Sequence, residues 1–132
     1  LLPIQCEYYA LEGVTQLMRT IEAVRHAMNK ELRLGSILMT MFDGRTRLST
    51  QVDEEVRTHF ARETMSTRIP RSVRVSEAPS YSRSVLTYEP TSAGAVAYRE
   101  AAAEFAKRHA CDEHSTNTSG VKHPDASDTK KG

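Results

Sequence analysis

Apolar and polar positions change period several times along the chain, and each change marks an element. Residues 1–5 form a short apolar run of β type. Leu11, Val14, Leu17, Met18, Ile21, Val24 and Met28 then recur at helical spacing, while Glu12, Arg19, Glu22 and Arg25 take the other face, so an amphipathic helix is expected over 11–28 with Asn29 ending it. Residues 34–42 are nearly continuously apolar, as in a strand covered on both faces within a parallel sheet. Asp43-Gly44 signals a turn, and Ser49 is the expected N-cap of a second helix that turns Val52, Val56 and Phe60 inward. Residues 64–69 read as a strand closed by Pro70. The stretch 71–88 is less regular, with a helical turn expected at 73–78 and a short extended piece at 85–88. Ser92 is expected to cap a last helix carrying Ala95, Tyr98, Ala102 and Phe105 on one face. Strand and helix alternate, which predicts an α/β fold with parallel strands.

Composition bounds this picture. The chain has 132 residues, enough for one domain, and its net charge of +1 with 39% hydrophobic residues is that of an ordinary globular protein. One domain is expected over 1–110. Beyond it, residues 111–132 contain almost no large apolar side chain and are expected to stay disordered, because they bury too little to offset ordering entropy. No apolar run approaches the length of a membrane span, and the opening residues lack the charged start of a signal peptide, so a cytoplasmic location is expected. The chain opens directly in a β-type segment without Met, which reads as the interior of a longer chain. Cys6 and Cys111 do not form a disulfide framework; Cys6 is expected to be a small buried residue.

Candidate chemistry begins with an absence. A phosphate-cradling loop needs glycines followed by Lys and Ser or Thr, and before the tail the only lysines are Lys30 and Lys107, neither in such a run. No catalytic residue is assigned. His109, Cys111, His114 and His123 offer metal-ligand atoms, but zinc needs ligands on a folded scaffold, so no metal site is expected. Glu7 and Glu12 are expected to cap or solvate a helix start, and Tyr8-Tyr9 to pack between strand and helix. Arg45, Arg47, Arg68, Arg71, Arg74 and Arg83 all fall in expected loops or element ends, where a parallel sheet gathers its functional groups. They form either a phosphate-binding cluster or a solvated rim.

Three segments carry a more specific signal: Gln5-Cys6-Glu7-Tyr8-Tyr9-Ala10-Leu11-Glu12-Gly13, Thr40-Met41-Phe42-Asp43-Gly44-Arg45-Thr46 and Ile69-Pro70-Arg71-Ser72-Val73-Arg74-Val75-Ser76-Glu77-Ala78-Pro79-Ser80. In order and separation they resemble the C-terminal half of the ParA/Soj family of chromosome- and plasmid-partitioning ATPases. The resemblance implies the C-terminal part of a parallel-sheet P-loop NTPase fold without its P-loop half. It implies that Met41, Asp43, Pro70 and Ser72 lie on the base side of an ATP site, Ser72 standing where the family usually has Asn. Ser82 and Ser84 stand where Gly and Pro are common. It further implies non-specific DNA binding through Arg45, Arg71 and Arg74. The intact family uses ATP and Mg, forms a homodimer, associates with the nucleoid and works with a ParB-like protein. Its phosphate-binding lysines and metal-binding acids match nothing in this sequence, so ATP and Mg are expected to bind poorly to this chain alone. An apolar edge at residues 1–5, thin cover over Ile37, Leu38 and Met39, and self-association are expected in turn. The alternative is a non-enzymatic DNA-binding or interaction module derived from the same family.

Overall fold

A computed structural model describes residues 1–113, with side chains through residue 110. The elements are β1 (Leu2–Gln5), α1 (Ala10–Ala27), β2 (Ile37–Phe42), α2 (Arg47–His59), β3 (Thr64–Pro70), α3 (Val73–Glu77), a 3-10 turn (Ala78–Tyr81), α4 (Val85–Tyr88) and α5 (Ala93–Glu113). The strands form one parallel sheet in the order β1-β2-β3, with Ile4 opposite Met39 and Phe42 opposite Pro70. The α/β architecture expected from the alternation is therefore present.

Burial follows the strand period. Ile4, Cys6, Ile37 and Met39 point to one face, where Val14 of α1 and Val52 and Val56 of α2 complete a core. Leu38, Met65 and Ile69 pack on the other face against Ala97 and Ala101 of α5. Two covered faces make the run 37–39 fully apolar, and they also correct the expectation of thin cover: Ile37, Leu38 and Met39 are 0%, 6% and 0% exposed. Cys6 is buried as expected.

Several local expectations are corrected. The N-cap of α2 is Thr46, not Ser49; the Thr46 hydroxyl accepts from the Ser49 N–H, and Ser49 instead donates its hydroxyl to the Cys6 carbonyl. Residues Val85–Tyr88 are a helical turn rather than extended, because the Ser84 carbonyl accepts from the Tyr88 N–H and Val85 sinks beside Ala78 and Ala95. Met28 ends α1 as its C-cap, 84% exposed, one turn past the packed face. On α5, Ser92 does cap the helix through the Ala95 N–H, but Ala101 and not Ala102 faces inward. Gly94 is required where α5 meets α3, since an added Cβ would stand 2.5 Å from Val75 Cγ2. This close approach packs Ser72 and Val75 against the start of α5. Of the residues 111–132 expected to be disordered, 111–113 continue α5, which runs to Glu113, and residues 114–132 lie outside the described residues.

The outer edge of β3 is closed by α5 side chains. Glu104 accepts from the backbone N–H groups of Ser66 and Thr67 and from the Thr67 hydroxyl, while Arg108 binds Glu104 and the carbonyls of Arg62 and Thr64. Blocking these groups removes a template for strand addition. Burial would raise the Glu104 carboxyl, but the hydrogen bonds outweigh it and hold it down at about 2. A depressed carboxyl stabilises above its ordinary value of 4.5 and loses that contribution as pH falls toward about 2. Glu104→Gln is thus expected to cost about 2 kcal/mol near neutrality and to flatten the acid limb of stability, measured by urea unfolding across that range.

Candidate functional site

The carboxyl ends of the three strands converge, as ligand-binding edges of parallel sheets do. A short network ties them together. Cys6 N–H donates to the Thr40 carbonyl at 2.9 Å, the Thr40 hydroxyl to the Ile4 carbonyl at 3.1 Å, and Arg71 N–H to the Phe42 carbonyl at 2.9 Å. Ser49 links the Cys6 carbonyl to the Asp43 N–H. Between them lies a cleft of about 290 Å³, lined by Cys6, Glu7, Asp43, Thr46, Ser49 and Arg71 among others. Burial, reinforced by the Asp53 charge, pushes the Cys6 thiol up to about 11, so it lines the cleft as an inert neutral group.

Of the residues assigned to the base side of a nucleotide, Asp43 reaches this cleft and Pro70 ends the strand beside it. Met41 and Ser72 do not line it. Met41 is half-buried within β2 with φ of 54°, where the register to β3 shifts; a non-glycine residue in this region is strained, and such strain collects at functional sites. Ser72 sits at the N-cap of α3 without capping it by its side chain.

Of the arginines assigned to DNA, Arg71 lines this cleft, Arg45 grips Asp43 in its wall and Arg74 lies further on in α3, and every one of them carries a carboxylate partner. Arg45 forks onto Asp43, with Nε 3.0 Å from Oδ1 and Nη2 3.1 Å from Oδ2. Together with the Arg45 N–H these bonds hold the Asp43 carboxyl below its ordinary value. Arg74 pairs with Glu77 at 3.1 Å, and Arg71 pairs with Glu7. Their side chains remain open to solvent at 90%, 55% and 53% for Arg45, Arg74 and Arg71.

Arg68 was expected at an element end, but it lies within β3. Its guanidinium rests over the Phe42 ring and donates to Asp53 Oδ2 at 2.7 Å, so it serves the interior rather than the rim. Two aromatic and acidic expectations also change. Glu7 does not cap α1 with its side chain but spends it on Arg71, and Tyr8 and Tyr9 are 74% and 73% exposed, edge to face with each other. The pairing of Glu7 with Arg71 spans 64 positions, and no local pattern signals it.

No group of three or more metal-ligating side chains occurs among the described residues, and the metal-ligand set containing Cys111, His114 and His123 lies outside the described side chains. No described helix is long and apolar enough to cross a membrane.

A family model described as an AAA domain matches residues 1–34. Chromosome-partitioning ATPase Soj of Thermus thermophilus is 51% identical over 106 residues, covering 80% of this chain and 43% of that protein. Chromosome partitioning protein ParA of Caulobacter vibrioides is 50% identical over 80% of this chain and 40% of its own length. Sporulation initiation inhibitor protein Soj of Bacillus subtilis is 47% identical over 105 residues, with 80% and 42% covered. The chain thus spans about two fifths of the length of the curated relatives it matches.

Proposed function

We propose that this chain, which belongs to the ParA/Soj family, supplies a partitioning ATPase with its phosphate-binding arginine edge and with the base side of its nucleotide site. The reading is supported by the solvent-accessible Arg45 and Arg71, which follow the carboxyl ends of β2 and β3, and by the equally accessible Arg74 in the helix that follows β3. Guanidinium groups there bind duplex phosphates without reading bases.

The nucleotide part is limited by what the residues fit. A cleft of about 290 Å³ with Asp43 and Arg71 suits one edge of a planar base, and it is small against ordinary cofactor pockets. The sequence has no glycine-rich lysine loop to grip a triphosphate, and no metal-ligating cluster is present among the described residues. These residues do not fit ATP with Mg as a whole, and no catalytic step is assigned to them. The longer relatives leave room for a phosphate-gripping segment beside β1. The open side of β1 and α1 carries an apolar cleft of about 400 Å³, which such a segment would cover. Homodimerisation, a ParB-like partner and nucleoid association follow from the same reading.

A second reading, an interaction module without catalysis, rests on the exposed Tyr8 and on Leu48 across a groove between α1 and α2. The two readings differ in a gel shift. Combined replacement of Arg45, Arg71 and Arg74 by Ala is expected to weaken binding to unrelated duplexes about equally. Unchanged mobility shifts in the triple variant would refute the phosphate edge and leave the interaction module.

A further inference from the structure

The pairing of the three arginines is not uniform. Asp43 and Glu77 lie two and three positions from Arg45 and Arg74, so each carboxylate travels with its cation on one short segment. Glu7 and Arg71 are 64 positions apart, and their contact closes the β1–α1 turn onto the β3–α3 turn. Both backbones are anchored independently of that contact. Glu7 N–H donates to the Gln5 carbonyl and its own carbonyl accepts from Ala10, while Arg71 N–H is held by the Phe42 carbonyl. Only the two side chains decide whether the guanidinium faces the carboxylate or an incoming anion.

We propose that Glu7 is a positioning residue that competes with phosphate for Arg71, so that the free protein keeps this arginine latched and duplex binding must displace the carboxylate. The proposal rests on the phosphate-edge reading. A guanidinium fork occupied by one carboxylate loses much of its donor geometry for a second anion, and the local charge of the edge falls by one. The contact is solvent-exposed on both sides, so it is weak enough to exchange.

Glu7→Gln is expected to tighten binding of the full chain to a short labelled duplex by about 2–5-fold, the range an exposed ion pair is worth. It is also expected to steepen the dependence on salt, because no freed carboxylate then recaptures a cation. Two further variants separate a latch from a general loss of negative charge. In the Arg71→Ala background, Glu7→Gln is expected to add nothing. Glu12→Gln removes an equal charge from the first turn of α1 without touching an arginine, and it is expected to change affinity less. Thermal unfolding checks that each variant keeps the fold of the parent.

A Glu7→Gln protein that binds as the parent does, while Arg71→Ala binds weakly, overturns the latch and leaves the phosphate edge standing. Equal tightening by Glu7→Gln with and without Arg71 also overturns it. An Arg71→Ala protein that binds duplex as tightly as the parent takes Arg71 out of the edge and removes the latch with it.

Discussion

Asp53→Ala is expected to remove about 3 kcal/mol of folding stability, the low end for breaking a buried ion pair from one side. Asp53 is 3% exposed between α2 and the sheet. Its Oδ2 takes Nε of Arg57 at 3.0 Å and Nη2 of Arg68 at 2.7 Å. Without the carboxylate, two guanidinium groups would lie against a low-dielectric core with no counter-charge. Both are partly open to water, at 27% and 39%, and this partial hydration limits the loss. The site is already incompletely satisfied, since Asp53 Oδ1 and Arg57 Nη2 have no hydrogen-bond partner among the described residues. Burial pushes the Asp53 carboxyl up, but the hydrogen bonds from Arg68 and Arg57 prevail and leave it lowered. Its stabilisation is therefore present above the ordinary carboxylate value and is lost as pH falls below it. Urea unfolding of the parent and of Asp53→Ala at neutral and acid pH measures both effects, and the two proteins should converge as pH falls.

Ile37→Ala is expected to cost about 2–5 kcal/mol, because the side chain is fully buried in the central strand and its removal leaves a cavity. Ile37 pairs with Leu2 on one side and Thr64 on the other, so the loss falls on the strand that joins both edges. Val96→Ala on the exposed side of α5 is the matched control, with an effect within about 0.5 kcal/mol. Chemical denaturation resolves the difference directly.

What the sequence made legible was what repeats. The helical spacing of α1 and α2 and the nearly continuous apolar run of β2 have one physical cause each, burial on one stripe or on two faces, and both elements are present, although β2 begins at Ile37 and not at residue 34 as expected. Caps were less legible, since Thr46 and Ser49 carry the same hydroxyl chemistry. Only the position of Cys6, 43 residues from Ser49, decides that Ser49 turns to the sheet. The extended reading of Val85–Tyr88 failed for a similar reason, as one turn of helix is too short to show a period and is fixed by Ala78 and Ala95.

The site divides in the same way. Arginines near strand ends can be read from sequence, because turns and apolar runs locate those ends. Their partners cannot be read when the contact is long-range, as for Glu7 with Arg71, or when a strand residue is drawn to a buried acid, as for Arg68 with Asp53. Tyr8 and Tyr9 show the converse error: aromatic residues beside a strand were assigned to packing, yet both side chains stand in solvent.

Arg45, Arg71 and Arg74 are proposed to form a phosphate edge that does not read sequence. This proposal is tested most directly by measuring duplex affinity by fluorescence anisotropy over a range of salt concentrations, for the parent chain and the triple alanine variant, on two duplexes of unrelated sequence. The predicted result is equal affinity for both duplexes, a linear fall of log K with log salt, and a smaller slope in the variant, by roughly one unit for each of Arg45 and Arg74 and by less for Arg71, whose freed Glu7 recaptures a cation. A slope unchanged by the three substitutions, or a strong preference of the parent for one duplex, would contradict it.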